Sequence, residues 1–379
     1  MHIRRFLAVL SSALLAINSF GMMPSSAETN AQGYDLSGFA YQWPEKFSQA
    51  DTLTKTDHSY QSHDVNIEIT KYAFNRVNGD VNANETLNIS DAVLLARIIS
   101  EDQTLTLTDT GLQNADCNED GELDIKDVTT LLSFLAGNLS EKEYLVDHHQ
   151  VFTVADFYVR SIDLLRGAFA YGEFPKTGSA RLEPISKMAK DNNALLAINC
   201  DYVEIRDNGI TYRNGIMYRD KARAELAVIY KDGTMEVMRD KEYRALTDER
   251  KAEIWQTTSF APILVKDSEV RTQFSGSVYT EKHPRSAIGY FEPGHFCFVL
   301  ADGRQPGYSM GVSIADLAKF MSSLGVTQAF NMDGGSSSEM IFLGETINHP
   351  SGIQVGTTGG RSSSDILYVC EPKDIPSAS

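Results

Sequence analysis

The chain has 379 residues, of which 42% are hydrophobic and 22% charged, with a formal net charge of -17. That balance describes a globular protein of one large domain or two to three smaller ones. The charge excludes nucleic acid and anionic membranes as partners, because polyanions are repelled at long range.

The amino terminus, residues 1–27, reads MHIRRFLAVLSSALLAINSFGMMPSSA, with two arginines, an apolar run from Phe6 to Ile17 and small residues at Ser25 and Ala27. This is the pattern of a cleaved export signal. The run is shorter than the roughly 20 residues of a membrane span, so the mature chain is expected to be secreted with no span remaining. Cys117, Cys200, Cys297 and Cys370 are too scattered for a disulfide scaffold. The sequence selects no pairing among them, and Cys297, inside an apolar run, reads as a buried thiol.

From Asp64 to Phe74, Val65, Ile67 and Ile69 alternate on one face, which predicts a half-buried strand. An internal repeat follows: DVNANETLNISDAVLLARII from Asp80 and DCNEDGELDIKDVTTLLSFL from Asp116. Oxygen-bearing side chains fall at loop positions 1, 3, 5, 9 and 12 in both copies: Asp80, Asn82, Asn84, Asn88 and Asp91, then Asp116, Asn118, Asp120, Asp124 and Asp127. Thr86 and Glu122 at position 7 offer backbone carbonyls, and Leu87 and Leu123 at position 8 point toward a small core. Gly121 supplies a sharp turn at position 6, where the first loop has Glu85.

That spacing suits a hard cation, because a tightly wound loop turns alternate oxygens inward to supply about 6 to 8 ligands. From Asp80 to Asp127 there are twelve acidic residues and two basic ones, so the segment repels itself without a cation. Two Ca2+ ions are expected. Two such loop-then-helix units resemble a type I dockerin, a small all-α calcium-binding module, over residues 75–140. The resemblance implies a cohesin domain of a scaffold protein as partner, met through Ile89, Ser90, Ile125 and Lys126.

Beyond the module, Val151–Val159 and Ala194–Val203 read as buried strands. The strand of residues 64–74 needs a partner, and the nearest candidate across the acidic module is Val151–Val159. Residues 28–74 are therefore a linker plus the first strand of a domain continued at 141–379, with the module inserted between. The alternative is a plain linker from Glu28 to Asn75.

From His295 to Gly335 the pattern is strand, helix, strand, with Ser313 and Asp316 as a capping box and Gly325 as the stop. Such a crossover makes its strands parallel, so Asp302 and Asp333 should emerge as neighbours at one sheet edge. The fold class expected is α+β or mixed α/β with a central mixed sheet. Arg285, beside alternating Ala287 and Gly289, reads as an edge position with room for a ligand. The serines after Gly335 lack the Gly-x-Ser-x-Gly elbow, and the Gly-rich turn lacks a Walker lysine.

INCDY, YRNGIMYR, FAPILVKD, HPRSAIGY, DGRQPGYSMG and NMDGGSSS appear in the order found in phosphodiester glycosidases, a family that the chain resembles from about Val151 to Val369, with Asp64–Phe74 as its first strand. The resemblance implies a hydrolase that removes a sugar from a sugar-1-phosphodiester or related glycosidic bond. It carries over Asn199, Asp201, Tyr202, Arg206, Arg213, Asn214, Arg285, Asp302, Arg304, Asn331 and Asp333. Cys200, Glu204 and Ser336 depart from the family pattern.

Asp333, Asp302 and Asp201 are the candidates for nucleophile, base or metal ligand, with Asp333 first; a catalytic metal is not specified. Arg285 and Arg304 suit bidentate phosphate contact. Asn331, Asn199, Arg206, Asn214, Gly334 and Gly335 complete the expected binding site for a carbohydrate or sugar phosphate. The rival reading is a non-catalytic carbohydrate-binding or exopolysaccharide-maturation component of the same complex.

Overall fold

The strands in chain order are β1 (Thr54–Lys55), β2 (Ser59–Gln61), β3 (Val65–Phe74), β4 (Gln150–Val159), β5 (Leu165–Phe169), β6 (Leu196–Asn199), β7 (Gly209–Arg213), β8 (Ile216–Lys221), β9 (Glu225–Tyr230), β10 (Met235–Arg239), β11 (Ile254–Thr258), β12 (Ile263–Lys266), β13 (Glu269–Val270), β14 (Arg285–Glu292), β15 (His295–Ala301), β16 (Gln328–Asn331), β17 (Met340–Phe342), β18 (Glu345–Thr346) and β19 (Asp365–Val369). The computed structural model describes residues 53–74, 77–84, 86–100, 102, 104–120, 122–140, 144, 148–221, 224–351 and 361–375. The expected leader (residues 1–27), Glu85 and Gly121 lie outside them.

A nine-stranded sheet of order β1-β2-β3-β4-β15-β14-β16-β12-β13 forms the centre of a sheet-rich, mixed α/β architecture. β3 and β4 pair along their whole length, from Val65 opposite Val159 to Phe74 opposite Gln150, although the acidic repeats lie between them in the chain. Both faces of the sheet are covered, which is why its inner strands read as unbroken apolar runs. On one face Phe152, Val154, Ala287 and Val299 meet Leu317, Phe320 and Met321 of the helix Ile314–Ser323. On the other, Phe157, Ile288, Phe298 and Phe330 pack with Leu196, Ile198, Met340 and Leu367 of a five-stranded sheet, and with Ala227 and Val237 of a three-stranded one.

The expected mixed sheet is instead antiparallel at every neighbouring pair of the nine strands. β15 and β16 do run the same way, as a crossover requires. The crossover helix, capped by Ser313 Oγ on the Asp316 N–H at 3.1 Å, passes over one position, and β14 fills it in the opposite sense. Arg285 is therefore on an interior strand, not at an edge. The space beside Gly289 is also filled, since a Cβ there would stand 2.7 Å from Cys297 Sγ and from Met321 Cε.

The buried strand expected over Ala194–Val203 is shorter, ending at Asn199. Tyr202 then takes a positive φ of 53° and begins a short 3-10 turn, so the chain leaves the sheet there. In the acidic segment the described residues form helices Ile89–Ile99, Asp109–Asn114 and Ile125–Leu135. The two longer helices start alike, with Asn88 and Asp124 as N-caps and Asp91 and Asp127 closing reciprocal capping boxes. Leu95, Val128 and Leu131 form the small core between them, with Leu87 and Leu123 packed against it.

Candidate functional site

The antiparallel order puts the start of β14 at the same edge as the ends of β15 and β16, with Arg285 opposite Ala301 and Ala287 opposite Asn331. The end of β6 meets them from the smaller sheet. Asn199 joins the two sheets: its Nδ2 donates to the Asp333 carbonyl at 2.6 Å, and its Oδ1 accepts from Ser286 Oγ at 2.9 Å. The Asp333 N–H donates to the Cys200 carbonyl at 2.8 Å. The Gly-Gly turn that follows needs both glycines. A Cβ on Gly334 would stand 2.8 Å from the Pro284 carbonyl oxygen, and Gly335 has a φ of 67°.

The three candidate carboxylates are all buried and differ in how they are satisfied. Asp201 accepts from the Thr258 hydroxyl and from the Ser259 and Phe260 N–H groups. Asp302 accepts from Asn348 Nδ2 and Tyr308 Oη, each at 2.9 Å, and from the His349 N–H at 3.1 Å. Both hold loops together. Asp333 is different: it is 7% exposed, and among the described residues its Oδ2 has no hydrogen-bond partner. Burial pushes its pKa up to about 7, against a hydrogen bond from Ser337 and the charges of Arg206 and Arg361. Asn331 beside it also has an oxygen, Oδ1, with no partner among the described residues, while its Nδ2 donates to the Ala261 carbonyl at 2.8 Å.

Asp302 and Asp333 do emerge at one edge, but with the start of β14 between them and each in its own network. The expected carboxylate neighbours thus resolve into one brace and one open group.

Guanidinium groups surround the Gly-Gly turn. Arg304 Nη1 stands 3.3 Å from Ser336 Oγ, and its Nη2 lies 3.4 Å from His283 Nδ1. Arg285 donates to the carbonyls of Val278, Glu281 and Val312. Its pKa is driven down to about 10 by burial and by Arg304 beside it, a repulsion that a bound anion would relieve. Arg361 donates to the Tyr202 hydroxyl and stacks on that ring at 4.7 Å. Among the described residues, Arg285, Arg304 and Arg361 form no ion pair with a carboxylate. Arg206 lies 3.9 Å over the Phe260 ring. Asn214 stands apart, its amide engaged by both backbone groups of Gly167 at 2.9 Å.

Asp365 went unrecognised in the sequence. It is fully buried and accepts from Arg213 Nη2 at 2.6 Å, from the Tyr202 N–H at 2.8 Å and from the Asp201 N–H at 3.2 Å. The turn that receives the Asp333 N–H is thus built on this ion pair. The one available signal was a lone aspartate between three serines and the apolar strand ILYV.

In the acidic loops, Asp91 accepts from the Asn82 and Asn88 N–H groups, and Asp127 from those of Cys117 and Asp124. Asn82 Oδ1 at loop position 3 is buried with no partner among the described residues, which fits a cation ligand. Among the described residues no three His, Cys, Asp or Glu side chains form a metal cluster.

Residues 192–370 match the family model for phosphodiester glycosidases, and residues 78–136 match the dockerin type I domain. The chain thus carries a phosphodiester glycosidase domain and a type I dockerin domain. It is 28% identical over 294 residues to the SPbeta prophage-derived uncharacterized protein YomE of Bacillus subtilis, covering 74% of this chain but 41% of that protein's length. Among solved structures, the zebrafish N-acetylglucosamine-1-phosphodiester alpha-N-acetylglucosaminidase catalytic domain, auto-inhibited by its pro-peptide, aligns over 61% of this chain and 80% of its own, at 21% identity and a TM-score of 0.49. A putative exported protein of Burkholderia pseudomallei aligns over 86% and 97%, at 14% identity and a TM-score of 0.44.

Asp365→Ala should destabilise the protein by about 3–5 kcal/mol in urea unfolding, because it leaves the Arg213 guanidinium buried with only the Asp201 carboxylate, at 3.8 Å, as counter-charge. For Asp333 the native state holds its proton more tightly than the unfolded chain, so its contribution to stability falls as pH rises from about 4 to 7. Asp333→Asn removes that loss. Its stability relative to wild type should grow across this window by up to ~4 kcal/mol, the equivalent of a three-unit shift, as measured by urea melts at several pH values.

Proposed function

We propose that the chain is a secreted hydrolase that cleaves a sugar-1-phosphodiester or related glycosidic bond and attaches to a cohesin-bearing scaffold through its dockerin domain. The observation that carries the reading is Asp333 Oδ2, buried and without a hydrogen-bond partner, at a Gly-Gly turn flanked by Arg285, Arg304 and Arg361, which form no ion pair with a carboxylate among the described residues. Breaking a bond between a sugar and phosphate develops positive charge on the ring, which a carboxylate stabilises or captures. The phosphate leaves with the bonding electrons and needs little protonation. Ionised Asp333 is the group for the ring, Asn331 Oδ1 a second acceptor for sugar hydroxyls, and Arg285, Arg304 and Arg361 the clamp for the phosphate. Asp201 and Asp302 act by holding loops in place.

In the dockerin, Asp80, Asn82, Asn84, Asn88 and Asp91, with the Thr86 carbonyl, form the first cation site. Asp116, Asn118, Asp120, Asp124 and Asp127, with the Glu122 carbonyl, form the second. Calcium there supplies charge neutralisation and a rigid loop for partner binding. Residues 75–140 are read as an insertion in the catalytic domain, a reading supported by the pairing of β3 with β4 on either side of them.

Incubation with N-acetylglucosamine-1-phosphate diesters, followed by phosphorus NMR, should show release of a phosphomonoester. kcat/KM should rise with pH through an inflection near 7 as Asp333 ionises, and Asp333→Asn should lower kcat by at least about 100-fold. Absence of turnover by wild type across several sugars would leave the non-catalytic binding reading. Calcium titration of the whole chain should raise its thermal midpoint, and chelator should lower it; equal melting in both would count against the loop assignment.

A further inference from the structure

One carboxylate joins the acidic module to the catalytic edge. Glu119 stands at position 4 of the second cation loop, between Asn118 and Asp120. Its Oε1 accepts from Asn78 Nδ2 at 2.9 Å, near where the chain enters the module, and lies 3.0 Å from Nε2 of His148, just after the chain leaves it. His148 is buried, and its Nδ1 stands 3.3 Å from Lys282 Nζ. Lys282 belongs to the segment that seats Arg285, which donates to the carbonyls of Val278, Glu281 and Val312, while the His283 N–H shares the Val312 carbonyl at 3.2 Å. His149 gives a second route: its carbonyl accepts from the Met310 N–H at 2.8 Å, and the Met310 carbonyl accepts from the Arg304 N–H at 3.2 Å.

The contact belongs to the second loop. Position 4 of the first loop is Ala83, whose φ of 53° matches the 60° of Glu119 but whose methyl group reaches nothing beyond the loop. This left-handed conformation is disfavoured for residues other than glycine, and in both loops it falls between ligand positions 3 and 5. Closure of the second loop around a cation therefore fixes Glu119 in the conformation that aims its carboxylate at His148. Without a cation, Asp116, Asp120, Asp124 and Asp127 repel one another, so the loop has two arrangements, and the closed one holds the partner of Lys282 in place. Glu119 itself is exposed, so its ion pair contributes little to stability and acts as a link between the two regions.

We propose that Glu119, His148 and Lys282 are positioning residues that couple the second cation loop to the anion-binding edge, so that calcium held in the module tightens phosphate binding by Arg285 and Arg304, and phosphate tightens calcium binding in return. The inference rests on the proposed function in taking the loop as a calcium site and the two arginines as part of the phosphate clamp.

Calorimetric titration of the full chain with methyl phosphate, in calcium and in chelator, reads the coupling. Wild type should bind methyl phosphate at least about five-fold tighter in calcium, and saturating methyl phosphate should tighten calcium binding at one of the two sites by the same factor. Glu119→Ala, which gives the second loop the residue found in the first, should still bind two calcium ions but lose the calcium dependence of methyl phosphate affinity. Lys282→Ala should lose it too, and Lys282→Arg should keep it. Amide hydrogen exchange over residues 277–285 should slow on adding calcium in wild type and not in Glu119→Ala. A calcium effect of equal size in wild type and Glu119→Ala would reduce it to general charge neutralisation of an acidic chain and overturn the coupling. So would calcium binding by wild type that changes neither affinity nor exchange. If methyl phosphate binds in neither condition while calcium slows exchange only where Glu119 is present, the phosphate clamp falls and the link from loop to segment stands.

Discussion

The ion pair between Arg213 and Asp365 is the constraint on which the site depends. Two full charges are buried together, so neither can be lost alone without leaving the other desolvated. Asp365 uses its remaining lone pairs on the N–H groups of the turn after β6. That turn offers the Cys200 carbonyl to the Asp333 N–H, and Asn199 holds the Asp333 carbonyl from the other side. A chain of hydrogen bonds thus runs from a buried charge pair that joins β7 to β19 of the five-stranded sheet to the carboxylate at the end of β16. It fixes where Asp333 stands without touching its Oδ2.

The same economy explains why similar carboxylates do different things. Asp201, Asp302 and Asp333 are all removed from water, which by itself favours the neutral acid. Donors decide the rest. Three groups address Asp302 from the loops of Tyr308 and Asn348–His349, and three address Asp201 from Thr258–Phe260. Asp333 keeps an oxygen with no partner among the described residues, with the charges of Arg206 and Arg361 acting on it. A buried, incompletely satisfied carboxylate costs folding stability, and such groups persist where chemistry uses them. The arginines carry a related tension, since Arg285 and Arg304 lie close together with carbonyls and a histidine as partners.

Local elements were legible because each has a local cause. The capping box of Ser313 and Asp316, the paired caps at Asn88 and Asp124, and the alternation of Val65, Ile67 and Ile69 are patterns over four to six residues. The ordered motifs indicated the phosphodiester glycosidase and dockerin domains, which the family matches show. What misled was adjacency. A crossover fixes the direction of two strands but not whether a third lies between them, so β14 turned an expected mixed sheet antiparallel and took Arg285 from an edge to the interior.

The sequence by itself determined the strand and helix patterns, the calcium-loop spacing and the identity of the residues at the strand ends, because these follow from side-chain period and local hydrogen bonding. Only the tertiary structure decided which aspartate is left incompletely satisfied, because that depends on donors brought from distant segments: Thr258 to Asp201, Asn348 to Asp302, and, among the described residues, none to Asp333 Oδ2. It also decided that Asp365, 152 residues beyond Arg213 in the chain, is that arginine's partner, a pairing that no local pattern encodes.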